Sequence, residues 1–164
     1  MKTQFKNYLY MIVVLCAVTA LSCGGDDTPP PEDPRLAIQE TLTSSGWSLA
    51  NGGSISHDGN NVTDQYTGFT ASFTVSTTTA NTYSTTNSGG PGGQNRLFSA
   101  SGTWTWADDT TTTMINLDDA DKGTLTIVTL NETTFRFRFR QINNAGTAAG
   151  IEGLAGEYDI TLTR

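Results

Sequence analysis

The chain has 164 residues, with 9 Lys and Arg against 16 Asp and Glu, a formal net charge of −7 and a single histidine. That length suits one domain built around one core. The acidic balance disfavours nucleic acid and anionic membranes as partners, because like charges repel. At the start of the chain, Lys2 and Lys6 precede the almost wholly apolar run from Tyr8 to Leu21. A transmembrane helix needs about 20 apolar residues, so this run is short for a span. A basic start followed by a short apolar run predicts a secretory signal peptide. The competing reading is a short membrane anchor or a buried core helix.

Ala20-Leu21-Ser22-Cys23-Gly24 follows directly. This segment resembles the lipobox of bacterial lipoproteins, where a small residue precedes the Cys that becomes the first mature residue. The resemblance implies a signal peptide over 1–22 and lipidation, with palmitate among the acyl groups, at Cys23. The cysteine sulfur is the nucleophile that such thioether chemistry needs. Each buried CH₂ of an acyl chain contributes about 0.8 kcal/mol, and several chains together hold stably. Only two cysteines exist, Cys16 and Cys23. With Cys16 in the leader and Cys23 lipidated, the mature domain folds without a disulfide, and cysteine-type metal sites are excluded.

Residues 23–33 contain Gly24-Gly25-Asp26-Asp27 and Pro29-Pro30-Pro31. Glycine, proline and acids cannot build a core, so this stretch predicts a tether. An acidic run after the lipidated Cys resembles surface-export signals of lipoproteins from Bacteroidetes-type bacteria. That resemblance implies an outer-membrane location facing outward. A solvated periplasmic spacer is the alternative.

Asp33-Pro34 predicts a helix start, with the acid as N-cap and proline at the first helical position. Ile38 and Leu42 lie four apart on one helix face, and Ser44-Ser45-Gly46 ends the run. The expected helix covers about 34–44 and closes one end of the domain. From Gly46 on, threonine is abundant and hydrophobicity alternates with period two. Phe69, Ala71, Phe73 and Val75 alternate with polar residues, as do Trp104 and Trp106, and Leu125 and Ile127. Phe135, Phe137 and Phe139 alternate with Arg136, Arg138 and Arg140, and Tyr158, Ile160 and Leu162 close the series. Such strands are packed on one face and wet on the other, as in antiparallel sheets. Eight strands are expected, at about 46–54, 67–76, 80–87, 99–107, 112–118, 123–131, 133–142 and 156–163. Turn residues mark the connections, at His57–Asn61, Ser88–Gly93, Asp118–Gly123 and Asn143–Gly146.

A short helix, then Gly46-Trp47-Ser48-Leu49, Tyr66-Thr67-Gly68-Phe69, Gly102-Thr103-Trp104 and the closing segment Gly156–Arg164 resemble small lipocalin-like lipoproteins of Bacteroidetes-type bacteria. The resemblance covers about 40–164. It implies an all-β fold over 34–164, an antiparallel meander closing as an eight-stranded barrel. The interior of such a barrel either holds one small ligand or is filled by side chains.

Two groups of residues are candidate binding sites. Arg136, Arg138 and Arg140 form a cationic stripe whose geometry suits carboxylate, phosphate or an anionic sugar. The plainer reading has the arginines facing solvent and paired with acids such as Asp159 and Glu157, each exposed pair being worth about 0–1 kcal/mol. A third orientation turns them into a polar barrel interior and exposes the phenylalanines. Trp47, Trp104 and Trp106 offer either core packing or a stacking platform for a sugar or lipid. Asp119-x-Asp121-x-Gly123 lacks the later ligands of an EF-hand loop and is read as a hairpin turn. His57 has no sequence neighbours that make a metal site or a base. Asp109-Thr110-Thr111 resembles an O-glycosylation acceptor of Bacteroidetes-type envelopes, and a polar turn explains it equally.

No Gly-x-Ser-x-Gly or other catalytic arrangement is present, and the chain is read as a non-enzyme without cofactor or metal. An enzyme built on Asp64 or Asp109 is a lesser possibility. The expected function is that of a lipid-anchored envelope lipoprotein with a binding role. Its partner would be the membrane through Cys23, together with a small apolar ligand inside the barrel or a glycan or protein on its surface. The alternative is a structural or accessory outer-membrane protein with a filled core.

Overall fold

The structure is a computed structural model, and it describes residues 32–86, 88–89, 97–118, 122, 124–142 and 155–164. Cys16, Cys23, the tether before Glu32, and the Asp119, Asp121 and Gly123 turn residues lie outside the described residues. Helix α1 spans Pro34–Thr43. The strands are β1 (Trp47–Ser48), β2 (Ser54–His57), β3 (Asn60–Asn61), β4 (Thr70–Thr74) and β5 (Asn81–Thr86). They continue as β6 (Ser101–Trp106), β7 (Met114–Leu117), β8 (Thr124–Leu130), β9 (Thr134–Gln141) and β10 (Gly156–Thr163).

Helix α1 forms where capping predicts it. The Asp33 carboxylate accepts the backbone N–H of Arg35 at 2.9 Å, and Pro34 opens the first turn without needing a donor. The helix buries Leu42 and packs against β4 and β8. It therefore lies at the end of the barrel where the β4–β5, β6–β7 and β8–β9 turns gather. The indole N–H of Trp47 donates to the Leu42 carbonyl at 3.0 Å, which ties the helix end to the first strand. Arg164 closes the same corner. Its guanidinium stacks 3.9 Å from the Trp47 ring centroid and donates to the Thr41 carbonyl at 2.7 Å, where a cation favours the helix C-terminus.

From β4 to β10 each strand pairs antiparallel with the next, and β1 pairs with both β4 and β10. The sheet thus closes on itself as an eight-stranded up-and-down barrel, the all-β meander expected from the alternation. One expected element differs. The strand expected at 46–54 is broken after Ser48 by a 3-10 turn at Ala50–Gly52 and resumes as β2, running on to His57. Asn51 and Gly52 adopt φ of 56° and 97°, a left-handed conformation that Gly tolerates freely and Asn better than most residues. Gly53 packs so tightly that a Cβ there would lie 2.6 Å from Leu49 Cα. The Asn51-Gly52-Gly53 run therefore supports an excursion, where continued alternation would have kept the strand straight. Both pieces still pair with β10, at Ser48 to Thr163 and at Ile55 to Ile160. Asp58 and Gly59, with φ of 47° and 80°, then make the two-residue turn into β3.

The inward faces fill the barrel. Phe135, Phe137 and Phe139 are buried in a stack whose successive centroids are 4.6 and 6.4 Å apart. Phe73 meets Phe135 edge-on at 5.7 Å and Trp104 at 6.1 Å. The connection after β5 adds something the alternation did not foresee. Leu97 and Phe98, just before β6, are 0% and 3% exposed. Phe98 lies 6.0 Å from Phe69, 6.0 Å from Phe137 and 5.0 Å from Phe139. Hydrogen bonds fix it there, from Leu97 N–H to the Ser88 carbonyl at 2.8 Å and from the Ser88 hydroxyl to the Phe98 carbonyl at 2.7 Å. These two residues stopper the end of the barrel opposite α1.

Candidate functional site

Two places could serve recognition, the barrel interior and the outer surface, and they differ sharply. Inside, the described residues leave a void of about 10 Å³ among Phe73, Tyr83, Phe98, Leu117, Leu125 and Phe137. A single water needs about that much room, and ligand pockets usually measure about 300–1,000 Å³. Trp47 and Trp104 belong to this packing. They are 0% and 1% exposed, and the Trp104 indole N–H is shared between the Thr74 and Thr82 carbonyls at 3.2 and 3.1 Å. Trp106 follows on the same face and stands edge-on to Trp104 at 5.7 Å. Trp47 and Trp104 are thus packed as core and present no accessible ring face for a stacking platform, while Trp106 is half-buried against that core.

Outside, β9 carries the arginine stripe. With the phenylalanines inward, period two sends Arg136, Arg138 and Arg140 to solvent, which excludes the orientation with a polar interior. Arg136 grips the Asp159 carboxylate through both oxygens, Nε to Oδ1 at 2.9 Å and Nη2 to Oδ2 at 2.7 Å. Arg138 adds a third bond, Nε to Oδ2 at 2.7 Å. Hydrogen bonding from Arg136, reinforced by Arg138, holds the Asp159 carboxyl below the usual aspartate range against the opposing effect of burial. The Arg136 guanidinium is stabilised in turn. Arg140 stands across from Glu157 in the ladder and makes no ion pair with a described residue. An open cleft of about 500 Å³ runs between this stripe and the β2–β3 turn, lined by Ser56, Asp58, Gly59, Arg138, Glu157 and Asp159. Three carboxylates, Asp58, Glu157 and Asp159, line it against Arg138, which pairs with Asp159.

His57 sits at the edge of this cleft in a structural role. Its ring stacks on Tyr158 at 4.6 Å, and Nε2 donates to the Ala155 carbonyl at 3.0 Å. Asp58 Oδ1 accepts the Glu157 N–H at 2.8 Å, clasping the β2–β3 turn to β10. Gly156 is required here: at φ 149°, a Cβ would fall 2.3 Å from His57 Nε2. Tyr158 reaches Tyr66, and burial pushes both phenols above their ordinary values. Asp109 lies 3.4 Å from Arg35 in the β6–β7 turn, while Asp64 lies in the Thr63–Tyr66 turn of a different connection. Asp108 caps that β6–β7 turn by accepting the Thr110 hydroxyl at 2.8 Å and the N–H groups of Thr110 and Thr111, each at 2.7 Å. These bonds, the hydroxyl foremost, hold its carboxyl below the usual aspartate range. Among the described residues no cluster of three or more His, Cys, Asp and Glu could hold a metal ion.

The sequence did not single out the buried pair at the mouth of the barrel. Lys122, 3% exposed, donates to Gln141 Oε1 at 2.9 Å. Nothing in the local pattern distinguishes Lys122 from a solvated turn residue. Compared with protein-family models, with curated proteins and with solved structures, the chain gives no match.

Proposed function

We propose that this chain is a lipid-anchored envelope lipoprotein whose barrel is a filled scaffold and whose binding capacity lies on its outer surface. The N-terminal basic and apolar run, with Ser22-Cys23 behind it, supports the anchor. The observation that carries the rest is the interior void of about 10 Å³, which weighs against a small apolar ligand in the barrel and toward the filled-core reading. Neither reading involves a reaction: the acids nearest to consideration, Asp64 and Asp109, stand in separate connections.

Two measurements test this. In cells, Cys23→Ala should move the protein from the membrane to the soluble fraction, and continued membrane retention would overturn the anchor. For the interior, the soluble Cys23→Ala protein is extracted with organic solvent and analysed by mass spectrometry. No stoichiometric lipid is expected, and one equivalent of a co-purifying apolar molecule would reverse the filled-scaffold reading.

A further inference from the structure

The outer face of β4 to β8 has a property that the alternation alone does not suggest. None of the residues of these five strands is charged, in a chain whose acids outnumber its bases 16 to 9. The outward positions are hydroxyls in rows. Thr70 faces Thr86, Ser72 faces Ser84 and Thr74 faces Thr82 across β4–β5. Thr82 then faces Thr103, and Ser84 faces Ser101, across β5–β6. Asn116 links Thr105 to Thr124. Hydroxyls bond to neighbours within the array, Thr70 to Thr86 at 2.6 Å and Ser72 to Ser84 at 2.8 Å, and Thr124 donates to Asn116 at 2.8 Å. Only Met114 and Val128 interrupt it, and the Asp118 carboxylate at its rim is bound to Thr103.

From this array we infer a docking face for a neutral polysaccharide, an inference that rests on the outward-binding reading above. A ligand of uncharged hydroxyls can settle on it without stripping water from any ion, which is the costly step in burying polar surface. The in-plane bonds fix short side chains in advance, so little rotamer freedom is lost on contact. Rows repeat about every 6.8 Å along a strand and about 4.8 Å between strands, offering the same group many times over. No aromatic ring projects outward from these strands, so each contact is weak and binding requires a polymer that engages several rows at once. The chain's net negative charge repels polyanions at longer range, which separates neutral from acidic polymers. A second copy is the less suited occupant. Two apolar side chains cannot supply the apolar centre of a standard interface, which buries about 800 Å² per partner.

The test is native electrophoresis of the Cys23→Ala protein through gels containing dextran, hydroxyethyl cellulose, dextran sulfate or no polymer. Retardation is expected in at least one neutral-polymer gel and in neither control, with no competition from free glucose. The double substitution Thr82→Lys and Ser84→Lys, at exposed positions of β5, should abolish the retardation while circular dichroism and melting confirm the fold. Arg140→Ala, on the other face, should retain it. Migration unaffected by both neutral polymers, or equal retardation of the lysine variant, would overturn the inference. So would a concentration-dependent dimer that the lysine variant dissolves, since that assigns the face to a second copy. Failure here leaves the solvent-extraction result standing, so the loss of this inference and the loss of the filled-scaffold reading are separable.

Discussion

The outer surface of the barrel divides into two faces built on one core. On β9, β10 and β2 the outward positions carry Arg136, Arg138, Arg140, Glu157 and Asp159, with Asp58 at the adjoining turn. On β4 to β8 they carry threonine, serine and asparagine, interrupted by Met114 and Val128. Both faces satisfy their side chains laterally, one through ion pairs and the other through hydroxyl pairs. The difference lies in what remains for a partner. The charged face binds its own carboxylate with two of its three arginines, so a ligand there must compete with Asp159. The neutral face holds nothing that a ligand must displace except water. A cluster of unusual residues is therefore not by itself the better candidate for recognition.

The largest effect tests whether the two faces share a core. Phe137→Ala, beneath the charged face, and Trp104→Ala, beneath the neutral one, should each destabilise the domain by about 3–5 kcal/mol in chemical denaturation. A cost below about 1 kcal/mol at either site would show that the core does not extend under both faces. Next in size is Asp159→Ala, expected to cost about 1 kcal/mol because its partners are 40% and 46% exposed and solvent screens the pairs. Ser84→Ala should cost about 0.2–1 kcal/mol, the value of one cross-strand pair, and its cost should not change with salt. That of Asp159→Ala should shrink as salt rises. Equal salt dependence of the two would erase the distinction between the faces.

Acid titration sharpens the same contrast. Asp159 is held below the ordinary aspartate range in the folded state, so around that range the unfolded chain binds more protons. Its contribution is complete at neutral pH, declines as pH falls through the ordinary range, and vanishes below the folded value. Stability measured against pH should lose that portion of its acid limb in Asp159→Asn, whereas Ser84→Ala should keep it. An unchanged acid limb in Asp159→Asn would show that the arginine pairs do not hold this carboxyl down. The smallest effect belongs to Arg140→Ala, which breaks no ion pair with a described residue and should shift stability by less than about 0.5 kcal/mol.

Much of this molecule was legible residue by residue. Asp33-Pro34 announced the helix start because a carboxylate cap and a fixed φ act within one turn. The Phe and Arg alternation from Phe135 to Arg140 fixed which side chains face in, because the strand period is two regardless of neighbours. Asp58-Gly59 announced its turn through the backbone freedom that such residues have. Each of these signals is local.

What the tertiary structure alone decided involves residues far apart in the chain. Asp159 meets Arg136 and Arg138 because β10 returns beside β9 in one register, and a shift by one residue would have sent it inward. The Asn51-Gly52-Gly53 run accounts locally for the break after Ser48. That both pieces rejoin the same strand, Ser48 at Thr163 and Ile55 at Ile160 of β10, is a pairing no window around Ser48 can show. Whether the barrel is hollow or filled depends on how Phe73, Phe98, Leu125 and Phe137 meet across its axis, and on Leu97 and Phe98 entering from a connection. Alternation specifies that side chains point inward. Only closure of the sheet sets the volume they must share, and here their volumes leave almost none of it empty.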